Sequence, residues 1–368
     1  MHKPNILIDD EIFIRQRFGG VSRIFIEILT AKHTQDFANL IFNNLYSEND
    51  YLQEKGLSKL PPYLKNYQFP LKGKSIRFFF GGLSHLKINQ QLRSGSIQIF
   101  HPSFYSDYFF KALPNKTKLV FTLHDLTHEK SKDPLSNIKR RNLERADHII
   151  VVSEQTKADM IHFYPFTKNK NISVIHLAQN LPETPKNIPD LPKKYLLFVG
   201  ERAGYKNYKV LLKAFKDLSL NFPDLHLVCC GAQAFNKAEV QEFFGLNLGG
   251  RVHHFKPSDA QLSFAYQQAS VFVYPSLNEG FGIPTLEAMH WQVPSVLSDI
   301  PVFREVAANA ALYFNPNEAA QLSQQILQIL SNDLVRTELK NAAKQRATHF
   351  SWKKHITKTF EVYQSLLS

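Results

Sequence analysis

Residues 276–299 read SLNEGFGIPTLEAMHWQVPSVLSD and place two glutamates, Glu279 and Glu287, on either side of a glycine-containing loop. Ionised carboxylates accept hydrogen bonds only, and the paired hydroxyls of a sugar are well-matched donors for them. Each glutamate could equally be a surface charge or a partner of a helix dipole. The spacing of the two around one loop favours a ligand with hydroxyl groups at both ends.

The loop between the glutamates is also suited to an anion. Pro284 fits the first turn of a helix, where its missing N–H has no partner to lose. We therefore expect the N–H groups of Thr285, Leu286 and Glu287 to point out of the helix N-terminus, which favours a phosphate. Gly282 lets the backbone approach a ligand closely. The alternative is an ordinary glycine turn that ends at a proline.

A phosphate centre with hydroxyl-rich ends describes a nucleotide sugar. Arg202 and Lys206 lie four residues apart after the apolar run YLLFVG and could hold a diphosphate. A solvated basic turn is the alternative for this pair. His124 and His128 have no carboxylate that completes a metal set, and the chain has no Asp-x-Asp. We therefore expect a phosphate site made of protein groups alone, with no metal and no cofactor.

The elements that must position these residues form two halves. A chain of 368 residues fits two domains of ordinary size. Short apolar runs alternate with helical patterns in both halves, which indicates α/β domains with parallel sheets covered on both faces. We predict the strands NILI, IQIF, KLVFTL, HIIVVS and ISVIHL before a proline-rich segment, and YLLFVG, LHLVCC, VFVY, PSVLS and ALYF after it.

The predicted boundaries follow from the segment LPETPKNIPDLPKKY, which holds four prolines and is the best linker candidate. We expect a first domain over 1–180, a linker over 181–194 and a second domain over 195–350. The segment 351–368 reads as a final helix. Ser153 is expected to cap the helix that follows HIIVVS.

Polar residues follow the predicted strands in both halves. Gly20 lies beyond the first strand, His101 follows IQIF, and His124 follows KLVFTL. Ligands of open parallel sheets bind beyond the carboxyl ends of the strands. The sequence therefore predicts one cleft between two domains, with these residues and those of the second half facing it.

The charge of the chain is strongly positive, at +12 with a pI near 9.4. Residues 51–93 hold eight basic residues and one acidic residue, a balance of +7. Such a surface favours an anionic partner: a phosphorylated small molecule, nucleic acid or an acidic membrane face. The sequence contains no recognisable nucleic-acid module, so nucleic acid is not expected as a partner.

The two cysteines, Cys229 and Cys230, are adjacent within an apolar run, which excludes a disulfide framework. A reducing cytoplasm is the compartment that suits this usage. The first residues, MHKPNILIDDEIF, do not have the layout of a signal peptide. No stretch approaches the ~18 apolar residues of a membrane-spanning helix. We expect a cytoplasmic protein, either soluble or peripheral on the inner face of the plasma membrane.

The motifs together resemble retaining glycosyltransferase family 4, which has the GT-B fold. NEGFGIPTLEAM resembles its Glu-x7-Glu motif, and the resemblance extends over nearly the whole chain. Further matching segments are FGGVSR, FHPSFY, FTLHDLTHE, RADHIIVVSEQTKADM, ISVIHLA, FVGERAGYKN and DIPVFREVAANAALYFNPN. It implies two Rossmann-like domains facing across a cleft, with the last helix crossing back onto the first domain.

For the sugar and ribose ends of the donor, the resemblance implies specific contacts. Glu279 would hold donor-sugar hydroxyls and Glu287 the ribose diol. The backbone of Phe281 and Gly282 would approach the sugar, and His124 would contact it near the reacting carbon.

For the diphosphate, the resemblance implies N–H groups near Thr285 and Leu286, together with Arg202 and Lys206. Gly20 would let the first domain close on it. One departure follows the motif helix: the family often has small residues and a glycine before the proline, and here the sequence is HWQVP.

The implied activity is a metal-independent transfer of a hexose, with retention, from a nucleotide-diphosphate sugar to a glycan or lipid-linked glycan in surface polysaccharide biosynthesis. The HDLTHE segment is common among members that use GDP-mannose, which makes it the best candidate donor. The segment 72–80, KGKSIRFFF, suits an anionic membrane surface as an additional partner. Two alternatives stay open: a nucleotide-sugar epimerase or hydrolase on the same scaffold, and a basic nucleic-acid-binding protein.

Overall fold

The computed structural model describes residues 3–17, 19–31, 37–45, 47–57, 74–127, 129, 134–179, 181–202, 204–231 and 233–368, with backbone only for 74–78. The chain divides into two compact units. Unit 1 consists of Met1–Leu177 and Trp352–Ser368, and unit 2 of Ala178–Ser351.

Unit 1 is built on a six-stranded sheet in which every recorded pairing is parallel, with strand order β2-β1-β3-β4-β5-β6. The strands are β1 (Asn5–Ile8), β2 (Asn39–Phe42), β3 (Ile99–His101), β4 (Lys118–Leu123), β5 (His148–Val151) and β6 (Ile172–Val174). The apolar runs of the sequence place β1 and β3 to β6. β2 was not predicted, because its residues NLIF are only partly buried and form a short run.

The helices of unit 1 lie between its strands, with one added from the end of the chain. They are α1 (Glu11–Arg15), α2 (Gly20–Thr30), α3 (Asp50–Glu54), α4 (Lys74–Arg93), α5 (Pro134–Arg145), α6 (Glu154–Phe163) and, from the C-terminus, α14 (Trp352–Ser365). Ser153 caps α6 by accepting a hydrogen bond from the Thr156 N–H, as its sequence context predicts. The last helix belongs to unit 1, where it packs against α2.

Unit 2 repeats the design with the strand order β12-β11-β10-β7-β8-β9, again parallel in every recorded pair. The strands are β7 (Tyr195–Val199), β8 (His226–Cys230), β9 (Val252–Phe255), β10 (Val271–Tyr274), β11 (Ser295–Ser298) and β12 (Leu312–Phe314). β9 was not predicted, because VHHF has two histidines at the positions where the other strands are apolar.

The helices of unit 2 cover both faces of its sheet. They are α7 (Tyr208–Asn221), α8 (Lys237–Gly245), α9 (Asp259–Gln268), α10 (Ile283–His290), α11 (Pro301–Ala307), α12 (Ala319–Ser331) and α13 (Asp333–Ala347). Apart from His226 at the start of β8, strands β7, β8, β10 and β11 are buried along their length, as continuous apolar runs in a parallel sheet require.

The proline-rich segment packs on unit 2. The Lys186 N–H donates to the Ala260 carbonyl at 2.8 Å, and the Ser263 hydroxyl donates to the Pro182 carbonyl at 2.9 Å. The first residues of this segment therefore have fixed contacts with α9.

Candidate functional site

The strand order of unit 2 defines the place where a ligand is expected. Counted from β7, this sheet has the order 3-2-1-4-5-6 of a dinucleotide-binding fold, and the chain reverses direction between β7 and β10. Ligands of such sheets bind at that switch point, beyond the carboxyl ends of the two central strands. The loop after β7 carries Lys206, and the loop after β10 carries Glu279.

These two side chains meet at the switch point. Lys206 Nζ donates to Glu279 Oε1 at 2.6 Å and to the Tyr274 hydroxyl at 2.7 Å. The ammonium also lies 4.9 Å from the centre of the Tyr274 ring and 5.1 Å from that of Tyr205. Burial, and next the Glu279 charge, raise the pKa of Tyr274 well above its usual value, so its hydroxyl stays protonated. The cluster is a pre-built arrangement of one cation, one carboxylate and one phenol.

The turn that follows Glu279 depends on a glycine. Gly282 has φ +85° and is the N-cap of α10. A Cβ at this position would lie 2.8 Å from Phe303 Cε1, so only glycine fits both the backbone and the space. Phe281 and Leu286 are buried, and therefore only their backbone can meet a ligand.

The expectation for the Thr285 N–H was wrong. This N–H donates to the Gly282 carbonyl at 2.8 Å, within the first turn of α10. The Thr285 hydroxyl, by contrast, is buried and has no hydrogen-bond partner among the residues the structure describes. A buried hydroxyl without a partner costs free energy, and a ligand oxygen at this turn would satisfy it.

Glu287 is the fifth residue of α10, and its carboxylate is oriented by a tyrosine. The Tyr266 hydroxyl donates to Glu287 Oε2 at 2.8 Å and lies 3.3 Å from the Pro284 carbonyl. Tyr266 is fully buried on α9, so the contact fixes Glu287 against a rigid neighbour. The sequence gives no signal for Tyr266, because only the fold brings α9 beside α10.

Arg202 makes its contacts with a different loop. Its Nε donates to Glu239 Oε1 at 2.7 Å, and one terminal nitrogen donates to the Gln233 carbonyl at 2.7 Å. Glu239 is itself part of the capping box that starts α8 with Asn236, and the guanidinium lies 4.6 Å from the centre of the Phe235 ring. The side chain of Arg202 is only 7% exposed, yet its other terminal nitrogen has no partner within the described chain. One N–H₂ group is therefore left for a ligand.

His124 lies in unit 1, directly after β4, where the sequence places it. Its backbone N–H donates to the Tyr105 hydroxyl at 2.9 Å, and its ring contacts Phe25 of α2 edge-on at 6.5 Å. Burial lowers the pKa of His124 to about 4, so the ring is neutral at neutral pH. Its Nδ1 is buried without a partner among the described residues. Gly20, the first residue of α2, therefore starts the helix that packs on this histidine.

The loop that carries His124 is held by a buried network that sequence reasoning missed. Lys139 of α5 is fully buried and donates to the Asp125 carbonyl at 2.8 Å and to Glu129 Oε2 at 3.1 Å. The Tyr164 hydroxyl donates to the other oxygen of Glu129 at 2.9 Å. A buried ammonium must be paired, so this network holds Asp125 and Glu129 in place beside His124.

His101 does not offer its ring to a ligand, contrary to expectation. Its Nδ1 lies 2.6 Å from the hydroxyl of Tyr363 on α14, and its Nε2 lies 2.7 Å from the Thr122 hydroxyl. The histidine is buried in unit 1, and burial lowers its pKa to about 3. It is a neutral residue that connects the sheet to the last helix.

Three further expectations concern metals and membranes. Within the described ranges, no three metal-ligating side chains lie together. In that same part of the chain, no helix is long and apolar enough to cross a bilayer. His128 and residues 58–73 of the basic segment 51–93, together with the side chains of 74–78, lie outside the described residues.

Two family models match successive parts of the chain. The model described as Glycosyltransferase Family 4 matches residues 18–180, and the one described as Glycosyl transferases group 1 matches residues 182–346. Both models describe glycosyltransferases and together match nearly the whole chain, so the chain is a glycosyltransferase whose first half matches family 4. The resemblance carried by the Glu-x7-Glu motif is thereby confirmed.

Similar proteins include bacterial mannosyltransferases and D-inositol 3-phosphate glycosyltransferases. O-antigen chain mannosyltransferase B of Escherichia coli is 28% identical over 300 residues, which cover 75% of this chain and 76% of that protein. O-antigen chain mannosyltransferase RfbU of Salmonella typhimurium is 33% identical over 180 residues, about half of each chain.

Solved structures share the fold. Sucrose-phosphate synthase from Thermosynechococcus elongatus has a TM-score of 0.72 at 18% identity and covers 100% of this chain and 99% of its own. Anabaena HepE, solved with UDP and glucose, has a TM-score of 0.69 at 18% identity and covers 98% and 100%. The prediction of a GT-B fold made of two Rossmann-like domains is confirmed.

Proposed function

We propose that this glycosyltransferase moves a hexose, with retention, from a nucleotide-diphosphate sugar to a hydroxyl of a glycan or lipid-linked glycan in surface polysaccharide biosynthesis. GDP-mannose is the best candidate donor. The HDLTHE segment and the mannosyltransferase relatives support mannose, and the O-antigen names of those relatives support a polysaccharide acceptor. The enzyme is proposed to act in the cytoplasm, on the inner face of the plasma membrane.

The observation that carries the proposal is the Lys206–Glu279 pair at the switch point of unit 2. An ammonium has three N–H donors, and the Glu279 carboxylate and the Tyr274 hydroxyl take two of them. The third is left for a phosphate oxygen of the donor. Lys206 bonds to the Oε1 atom of Glu279, and the Oε2 atom is proposed to take a hydroxyl of the donor sugar.

The rest of the donor is proposed to lie along α10. The diphosphate would bind at the turn of Gly282, where the Thr285 hydroxyl lacks a partner, and would be approached by the remaining N–H₂ group of Arg202. Glu287, oriented by Tyr266, would accept both ribose hydroxyls. His124 of unit 1 would contact the donor sugar near its anomeric carbon as a neutral ring.

The proposed reaction is a front-face displacement. The acceptor oxygen forms a bond to the anomeric carbon while the bond from that carbon to the diphosphate oxygen breaks on the same face. The hydroxyl proton passes to the leaving diphosphate. Lys206 and Arg202 would stabilise the charge that grows on the leaving oxygen, an electrostatic effect that commonly dominates enzymatic rate enhancement. Because cationic side chains fill this role, the transfer is proposed to need no metal.

A donor screen tests the proposal first. Thermal unfolding is followed with GDP, UDP, ADP and their sugars, and the true donor at a hundred times its Kd should stabilise by about 2.7 kcal/mol. Incubation without acceptor then separates a transferase from a hydrolase or epimerase, which would consume the donor alone. Transfer should persist in EDTA, and the product should keep the donor's anomeric configuration by NMR. Activity lost in EDTA and restored by Mg²⁺ would overturn the metal-free site.

A further inference from the structure

A cavity of about 520 Å³ lies in unit 2 at the carboxyl end of α10, the end opposite to Gly282. Its walls include the ring of Trp291 and the side chains of Gln267, Gln292, Glu183 and Lys344. The volume falls within the ~300–1,000 Å³ of ligand sites. An eight-residue helix is about 12 Å long, which separates this cavity from the turn of Gly282.

The residues that follow α10 are Trp291 and Gln292, and both line the cavity. Gln292 adopts φ +54°, a left-handed conformation that favours glycine and strains other residues. Strain of this kind persists where the surrounding structure requires it, which is typical of functional positions. Here the strain places an amide side chain at the edge of the cavity.

Trp291 supplies a second, independent observation. Its indole Nε1 is buried and has no acceptor among the residues the structure describes. The adjacent His290 ring meets the indole edge-on, with ring centres 5.2 Å apart and an angle of 90° between the planes. His290 is in turn held by Glu183, whose carboxylate lies 3.1 Å from its Nε2. The indole is therefore packed against a histidine that is itself held in place, and its Nε1 is a buried donor beside the cavity, unsatisfied among the described residues.

The chemistry of the walls indicates the ligand. One carboxylate, one ammonium and one imidazole give the cavity no dominant sign of charge, which disfavours an anion. Two glutamine amides and a carboxylate can pair with adjacent hydroxyls as donors and acceptors. The electron-rich face of an indole packs well against the polarised C–H groups of a sugar ring. A neutral saccharide satisfies all of these groups together.

We propose that this cavity binds a neutral glycan segment of two or three sugars, separately from the donor site. The proposal rests on the proposed function, because the glycan being extended is the saccharide that the enzyme meets. Retention of that glycan at a second site raises its effective concentration at the enzyme without any added contact at the reacting centre. Trp291 and Gln292 are the binding residues at this site.

Direct binding of a mannose trisaccharide, with no nucleotide sugar present, tests the proposal. The chain has two tryptophans, so in a Trp352→Phe background the fluorescence of Trp291 alone reports on the cavity. We expect a saturable change that saturating nucleoside diphosphate leaves intact, with the same affinity by calorimetry. No saturable signal by either method would overturn the proposal. The same would follow if the nucleotide abolished the signal, or if sulfate reproduced it.

Gln292→Gly is the decisive variant, because it removes the amide and relieves the strained φ. We expect binding to weaken at least fivefold, as for the loss of a net hydrogen bond or two, while the thermal midpoint stays equal or rises. Asn247→Gly is the matched control: Asn247 is exposed with φ +58°, outside the cavity, and its variant should bind normally. Equal binding by Gln292→Gly and wild type would remove Gln292 from the site. Because donor binding and transfer to a short acceptor are measured separately, failure here leaves the transferase proposal intact.

Discussion

The ammonium of Lys206 lies 2.6 Å from the Glu279 carboxylate, although 73 residues of sequence separate the two. Their side chains are only 12% and 10% exposed. A buried ion pair of this kind contributes little net stability, because removal of both charges from water offsets most of their attraction. The pair is therefore better explained by the ligand it can bind than by the fold it supports.

Lys206→Ala should lower kcat/KM at least tenfold, equivalent to about 1.4 kcal/mol of lost transition-state stabilisation. It should also lower the free energy of unfolding by about 3 kcal/mol, since it leaves the Glu279 charge nearly buried and unpaired. Steady-state kinetics and urea unfolding measure the two effects.

The double variant Lys206→Ala/Glu279→Gln separates stability from catalysis. With both charges removed, most of the stability should return while transfer stays low. If activity returned with stability, Lys206 would have only a structural role, and the diphosphate assignment would fail.

Glu279→Ala and Glu287→Ala should differ in kinetics. A contact near the reacting carbon is felt mainly in kcat, and a contact kept throughout the reaction is felt in KM. We therefore expect Glu279→Ala to slow turnover and Glu287→Ala to raise KM for the donor. Tyr266→Phe, which removes the hydroxyl that donates to the Glu287 carboxylate and contacts the Pro284 carbonyl, should produce a weaker version of the Glu287 effect. Wild-type kinetics for Glu279→Ala would refute its placement.

Arg202→Ala should also cost at least tenfold in kcat/KM. Its guanidinium forms an ion pair with Glu239, so the loss of Arg202 should also lower the stability of the fold. Arg202→Lys is the informative companion, because lysine keeps the charge but cannot form the forked contact. If Arg202→Ala unfolds at the wild-type midpoint and transfers normally, Arg202 contributes neither to the stability of the fold nor to binding of the diphosphate.

The sequence identifies the site residues better than it predicts their partners. Lys206 and Glu279 each follow a buried apolar run, and both runs are central strands of a parallel sheet, so their meeting at the switch point could be inferred. That Lys206 bonds directly to Glu279 and also to Tyr274 could not be inferred, because neither spacing nor composition encodes a contact between distant loops. The Arg202–Glu239 contact could not be predicted from the sequence for the same reason.

Local rules failed where tertiary packing overrides them. His101 follows a strand end, as a ligand-binding residue would, but α14 returns from the C-terminus and covers it with Tyr363. The missed strands β2 and β9 lie beyond β1 and β8 and are partly exposed, so their short runs lack the continuous apolar character that marks buried strands.

The titration of Asp10 should lower the free energy of unfolding as pH rises from about 4 to 7. Burial, reinforced by the Asp9 charge, raises the pKa of Asp10 from 3.8 to about 7, and burial with the Glu11 charge raises that of Asp9 to about 6. The folded state therefore binds more protons than the unfolded state in this window. The stabilisation is fully present below pH 3.8 and is lost as pH rises through the folded pKa values.

Asp10→Asn removes this titration, and an amide oxygen can still accept the hydrogen bond that the Ser84 hydroxyl gives to Asp10 at 2.5 Å. The urea midpoint of the variant is compared with that of wild type at each pH. The difference should favour the variant more at pH 8 than at pH 4.5. Asp224→Asn is the control, since its Lys194 partner lowers the pKa of Asp224 and gives the opposite sign. A difference between Asp10→Asn and wild type that does not change with pH would contradict the raised pKa.

Gly282→Ala should abolish donor binding because the added Cβ would collide with Phe303. This collision can be separated from the effect of backbone strain. Gly250 provides the comparison: it has φ +74° with open space around its Cβ position, whereas Gly282 has φ +85° and Phe303 at 2.8 Å. Gly250→Ala should therefore cost only the left-handed penalty of about 1–2 kcal/mol and keep full donor binding. Gly282→Ala should cost more and shift the start of α10, which holds Thr285 and Glu287. Calorimetry with the donor nucleotide and urea unfolding of both variants decide the matter. Donor affinity retained in Gly282→Ala would show that the turn does not form the diphosphate site.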